Sequence, residues 1–158
     1  LAISKALVLW GLLSFASLQV AAELITEATL KDVLAIGKQA GVPKSVILQL
    51  MKEESQGNIK AVSREVKGYH SKGLFQLYEA PWNLGELLSK FWYAYEENWV
   101  AFDIFNPRHN AKVAMRYLAA LHREYGSWYR ALCFYNSGQT RLAPQETKAY
   151  ALRIVNAR

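Results

Sequence analysis

Glycine, asparagine and proline breaks cut this chain into amphipathic stretches, and that punctuation leaves it little choice but a helical fold. Gly41, Gly57-Asn58, Gly126 and Asn136-Ser137-Gly138 stand where helices stop, and Pro43, Pro107 and Pro144 stand where they start. Between the breaks, apolar residues recur at the helical period. Thr29 to Ala40 reads as a helix capped by Thr29, with Asp32 in its first turn and Leu30, Val33 and Leu34 on one face. Val113, Tyr117, Leu118, Leu121 and Tyr125 form a second stripe. Trp128, Ala131, Leu132 and Tyr135, behind a Ser127 cap, form a third, and Thr147, Tyr150, Ala151 and Ile154 a fourth. Ile59 to Gln76 has no helical period and carries Gly68 and Gly73, so it reads as a loop or short hairpin. The fold class is therefore mainly α with a small β element: a single helical domain with a short hairpin or irregular loop after the helix that begins near Val42.

That helix, Val42 to Asn58, carries the residue of most chemical interest. At about 100° per residue, Val46, Ile47, Leu48, Leu50 and Met51 make one broad apolar face. Glu54 falls within about 15° of its centre and Glu53 more than about 100° away. Glu53 should be solvated. Glu54 admits two readings, a stray carboxylate at a fraying helix end or an acid held at the end of a buried stripe. In the second, desolvation raises the carboxyl pKa and keeps a proton available near neutral pH, as a general acid requires.

Composition limits the alternatives. A chain of 158 residues, 52% hydrophobic and 20% charged, can bury a real core and is not a disordered polymer. Its net charge of +6, one unit of it at Lys5, suits an anionic matrix, a membrane surface or nucleic acid. No basic run or zinc-ligand spacing points to nucleic acid. Lys5 precedes an uncharged apolar run, Ala6 to Leu18, shorter than the roughly 20 residues of a membrane span, and Val20-Ala21-Ala22 follows. Residues 1–22 therefore read as an export signal, or an anchor if left uncleaved, with the domain at 23–158. The protein is expected outside the cytoplasm, in the periplasm or cell envelope. Cys133 has no partner for an intrachain disulfide and reads as a small buried hydrophobe.

Thirteen per cent of the residues are aromatic, concentrated between Tyr78 and Phe105 (Trp82, Phe91, Trp92, Tyr93, Tyr95, Trp99, Phe102 and Phe105). They read as core of a small lobe, with some free to stack on flat ligand faces. Leu84 to Val100 reads as one or two helices. His70, His109 and His122 are scattered and read as surface or helix-end residues. No HExxH, CxxC, phosphate-binding loop or GxSxG is present, which leaves carboxylate chemistry.

Glu54-Ser55 ends a helix. Then come Ala61-Val62-Ser63, Gly73-Leu74-Phe75-Gln76, Phe134-Tyr135-Asn136-Ser137-Gly138, and Glu146-Thr147 with Tyr150. In this order the blocks resemble the soluble lytic transglycosylase family, from about Leu30 to Ile154. The segment Asn110 to Leu118 resembles the block that opens that family's next core helix. Three departures stand out: a longer loop between Ser63 and Gly73, Phe75 in place of Met, and Ala114 in place of Gly.

The resemblance implies a lysozyme-like fold acting on peptidoglycan glycan strands. Glu54 would be the single catalytic acid/base. Ser63, Gln76, Tyr135 and Asn136 would contact or position substrate, Tyr135 near the acid, with Ser55 and Tyr150 as supports. It would cleave the bond between N-acetylmuramic acid and N-acetylglucosamine, leaving 1,6-anhydro ends. It implies no cofactor and no metal. The chain is expected to be a monomer without nucleic-acid partners. Its small size suits local wall opening for a secretion machine, pilus, flagellum or phage. Two alternatives stay open: a lysozyme-type hydrolase using Glu65, Glu79 or Asp103 as second carboxylate, and a non-catalytic wall-binding or assembly protein on the same fold.

Overall fold

The computed structural model describes residues 22–65, 68–78, 102–138, 140 and 143–157. The leader reading, Glu79 and the aromatics from Trp82 to Trp99 lie outside the described residues. Among those described are five helices and one small antiparallel hairpin. They are α1 (Glu27–Gln39), α2 (Lys44–Ser55), β1 (Ser71–Lys72), β2 (Leu77–Tyr78), α3 (Pro107–Tyr125), α4 (Trp128–Ser137) and α5 (Gln145–Val155). None of the described helices is long and apolar enough to cross a membrane.

The first helix starts earlier than its pattern suggests. Thr26, not Thr29, is the cap, and its hydroxyl accepts the Thr29 N–H while bonding the Thr29 hydroxyl. The first-turn acid is accordingly Glu27 rather than Asp32. Gly41 closes α1 in a left-handed conformation. The Val42 N–H reaches the Gly37 carbonyl and the Gly41 N–H the Lys38 carbonyl, the paired bonds of a Schellman turn. That turn folds α2 back against α1 at once.

The stripes read from the sequence become the core. Val46, Ile47 and Leu50 of α2 are buried with Val33 of α1, Leu118 and Leu121 of α3, Ala131 and Leu132 of α4, and Ala151 and Ile154 of α5. Cys133 is fully buried among them. Helix α3 packs on α1 and α4, and α5 packs on α4 and α2. The last helix thus returns to the end of the second, which brings residues about a hundred positions apart side by side.

The hairpin pairs Ser71 with Tyr78 and Lys72 with Leu77. Ala61 to Ser63 lies along its other edge, bonded from Gly73 N–H to Ala61 carbonyl (2.8 Å) and from Ser63 N–H to Ser71 carbonyl (2.9 Å). On the far side of α2's end, Glu23 to Ile25 pairs with Gly57 to Ile59. The chain leaving α2 is therefore fastened from both directions.

Candidate active site

Helix α2 ends abruptly just past Glu54. Gln56 turns left-handed (φ 54°) and Gly57 follows at φ 81°, while the Ser55 hydroxyl bonds the Met51 carbonyl and receives the Gly57 N–H. Ser55 is thus a local brace of the helix end. Glu54 is half-buried, with α5 covering it: Tyr150, 7% exposed, donates its phenolic hydrogen to Glu54 Oε1.

Burial is the largest influence on the Glu54 carboxyl. It outweighs the opposing pull of the Tyr150 hydrogen bond, the negative charge of Glu53 adds to it, and the pKa is raised to about 7. Burial and the nearby Glu54 charge push the Tyr150 and Tyr135 phenols far above their ordinary range, so both remain neutral donors at any working pH.

Glu53 is not the solvated residue that its helix angle suggests. Its side chain is 17% exposed, held by Arg153 of α5 through Nη2 to Oε2 (2.8 Å) and Nε to both oxygens (3.1 Å), and by Gln49 (3.3 Å). The arginine hydrogen bond, first among the causes, holds its pKa below the usual carboxylate value. A helix angle reports only which way a residue points; a later helix decides what covers it. Two neighbouring carboxyls are thereby driven apart, one ionised and one retaining its proton.

Tyr135 is expected near the acid, holding either Glu54 or the substrate's acetamido group. Instead its hydroxyl donates to the Phe75 carbonyl (2.7 Å), and its ring packs on Tyr117 at 5.7 Å between centroids. It is near enough to feel the Glu54 charge, but the direct bond belongs to Tyr150. Asn136 is exposed and accepts the Thr147 hydroxyl on Oδ1 (2.8 Å), which ties the end of α4 to α5.

The hairpin side chains mostly serve the hairpin. Ser63 Oγ accepts the Ser71 N–H (2.8 Å) and donates to the Arg64 carbonyl (3.0 Å), so the structure ties its hydroxyl to backbone. Gln76 has φ 49°, an unfavourable value for a residue with a Cβ. Both its amide hydrogens are spent, on the carbonyls of Ala61 (3.2 Å) and Gly73 (3.0 Å). A carbonyl can only accept, so the Gln76 Oε1 faces away, with no partner among the described residues.

Asn110 is the organiser that the sequence reading passed over. It is fully buried on α3. Its Oδ1 accepts the Phe75 N–H (2.8 Å), and its Nδ2 donates to the carbonyls of Lys72 (3.1 Å) and Ile104 (2.9 Å). The Phe75 peptide is thus gripped at both ends, its N–H by Asn110 and its carbonyl by Tyr135. Gly73 makes room for this: a Cβ there would lie 2.4 Å from Asn110 Nδ2, and φ is +78°. The available signal was that Asn110 is in line with Ala114, Leu118 and Leu121, a polar residue within an apolar stripe.

Neither described candidate for a second carboxylate is set against Glu54. Asp103 accepts the Phe105 N–H in its own turn (2.9 Å), and Glu65 is exposed. The described histidines make local contacts: His122 stacks on Trp128 at 3.9 Å, His109 on Phe102 at 6.1 Å, and His70 Nδ1 lies 2.8 Å from the Ser63 carbonyl. No cluster of three or more histidine, cysteine or acidic residues suited to a metal ion occurs among the described residues.

A family model for the transglycosylase SLT domain matches residues 33–157. The chain belongs to that family. This SLT domain also resembles, with a TM-score of 0.62, the X-ray structure of an inactive mutant of the lytic transglycosylase Slt from Pseudomonas aeruginosa. The two are 21% identical, over 80% of this chain and 22% of that one. At that identity the likeness is one of fold, and the chain spans about a fifth of its neighbour's length. None of the curated proteins compared matches the chain. The mostly helical, lysozyme-like architecture read from the sequence is the one observed.

Proposed function

We propose that this SLT domain is a peptidoglycan lytic transglycosylase with Glu54 as its single general acid/base. The observation that carries the reading is the pair of environments at the end of α2. Glu54 keeps its proton to about pH 7 beneath Tyr150, while Glu53 is ionised against Arg153. A binding protein has no need of a desolvated acid, whose burial costs stability.

In the proposed reaction, neutral Glu54 donates its proton to the oxygen linking N-acetylmuramic acid to N-acetylglucosamine, and the C1–O bond breaks. The substrate's own acetamido oxygen stabilises the positive centre at C1, in place of the second carboxylate that most glycosidases supply. The Glu54 carboxylate then takes the proton from the C6 hydroxyl as that oxygen bonds C1. A 1,6-anhydro ring forms, the acid regains its proton, and no water is consumed.

The chain's own groups divide the remaining work. Tyr150 holds one Glu54 oxygen and leaves the other for the substrate. Gln76 presents Oε1 as an acceptor, and Tyr135 and Asn110 fix the turn that carries it. Ser63 acts through the hairpin backbone. The leader pattern supports work in the cell envelope, on glycan strands. The basic balance suits an acidic wall polymer.

The test is clearance of purified peptidoglycan by the parent and by Glu54→Gln. Loss on the order of 100-fold or more is expected, because an amide cannot donate that proton. Clearance at the parent's rate would end the reading. Because the acid must be protonated, parent activity should fall as pH rises through about 7.

A further inference from the structure

We propose that the Glu53–Arg153 ion pair is a positioning device for Glu54, holding the tyrosine of α5 against the acid and opposing the negative charge beside it. The proposal rests on Glu54 being the acid of the reaction above.

The geometry comes from two consecutive residues that point about 100° apart on α2 and yet both end on α5. Glu54 receives Tyr150, and Glu53 receives Arg153. Tyr150 and Arg153 are three apart, hence neighbours on one helix face. The guanidinium grips both Glu53 oxygens, a planar fork that resists rotation better than a single bond. Fixing this contact fixes the turn of α2 relative to α5, and that turn decides whether the Tyr150 hydroxyl meets Glu54.

The same pair sets the charge around the acid. Glu53 presses Glu54 toward its neutral form even with Arg153 in place; the guanidinium, 2.8 Å from Glu53 Oε2, opposes part of that pressure. Among the described residues, the other titratable groups near Glu54 are Tyr150 on α5 and Tyr135 on α4, with Tyr117 of α3 against the latter; the two that Glu54 acts on stay neutral. The hairpin presents the Phe75 carbonyl to Tyr135, and Lys52 on α2 acts on Glu53. On α1, Lys31 pairs with Glu27, and Asp32 with Arg108. Among the described residues, the Glu53–Arg153 pair is thus the adjustable charge at the site.

The two single substitutions should act in opposite directions. Arg153→Met leaves Glu53 uncompensated and raises the Glu54 titration midpoint. Glu53→Gln leaves Arg153 uncompensated and lowers it. Each shift should be about half a pH unit or more. The double variant should fall between the two single ones, above the parent by what a loosened Tyr150 bond adds, and Arg153→Lys, which keeps the charge without the fork, should lie closer to the parent than Arg153→Met. The readout is carbon-13 NMR titration of the Glu54 carboxyl, assigned with Glu54→Gln, alongside the pH profile of peptidoglycan clearance. Shifts in opposite directions, with the double variant between them and above the parent, support the proposal. Midpoints that stay put or move the same way overturn it, even if thermal stability falls, because a merely structural tie would cost stability without opposed shifts. The NMR titration needs no turnover. Opposed midpoints in a protein that clears no peptidoglycan would therefore leave the pair standing and remove the proposed activity.

Discussion

Glu54→Gln should stabilise the folded domain above neutral pH while abolishing its activity. In the folded state the Glu54 pKa is raised from 4.5 to about 7, chiefly by burial. The folded chain therefore holds this proton more tightly than the unfolded chain between those values. The stability it contributes is fully present below about pH 4.5 and is lost as pH rises to about 7. At about 1.4 kcal/mol per unit, the loss is about 3 kcal/mol. Glutamine has no charge to desolvate, and its carbonyl can still accept the Tyr150 hydrogen. The variant should thus exceed the parent by about 2–3 kcal/mol at about pH 8, and match it near pH 4. In a domain of this size that is a melting-point gap of roughly 5–10 °C. Thermal or urea denaturation of both proteins across this range reads the gap directly. A gap that does not change with pH would refute the claim that Glu54 is desolvated, and with it the reason for calling it an acid.

Three further outcomes follow from the same contacts. Tyr150→Phe removes the hydrogen bond that draws the Glu54 pKa down, so its activity limb should move to higher pH while turnover falls about tenfold or more. Asn110→Leu strands the Phe75 N–H and two carbonyls and should cost roughly 3 kcal/mol or more by urea denaturation. Gly73→Ala should cost about as much, because its Cβ would meet Asn110 and the Ile104 carbonyl at a left-handed φ, and circular dichroism melts would show it.

The helical stripes were legible because burial of one face imposes a period on the sequence. Val46, Ile47 and Leu50 could be assigned to the core before any contact was known. The start of α1 was misplaced because Thr26 and Thr29 are both competent caps, and the choice between them is local geometry. The separation of Glu54 from Glu53 was legible for the same reason as the stripes. The environment of Glu53 was not, since it depends on α5 returning to the end of α2. Both Tyr135 and Tyr150 lie on apolar stripes, and nothing in a linear pattern says which reaches the acid. The structure gives that contact to Tyr150 and sends Tyr135 to the Phe75 carbonyl.

Asn110 and Ser63 show a different limit. A polar side chain among apolar neighbours suggests a ligand contact or a backbone brace equally well. Here all the hydrogen-bonding groups of Asn110 serve backbone, and Ser63 Oγ both donates to and accepts from backbone groups. Gln76 is intermediate, with its amide hydrogens committed and its oxygen available. Only the pairing of loops distant in sequence decides among these roles, and motif resemblance does not separate a residue that touches substrate from one that shapes the turn beneath it.

The central claim is that one carboxyl, Glu54, both gives and takes the proton, with the sugar's own hydroxyl in place of water. Mass spectrometry of peptidoglycan fragments released in heavy-oxygen water tests it most directly. The account predicts N-acetylmuramic ends one water lighter than reducing ends, without heavy oxygen, from the parent and none from Glu54→Gln. Reducing ends carrying heavy oxygen would make this SLT domain a hydrolase and contradict the account.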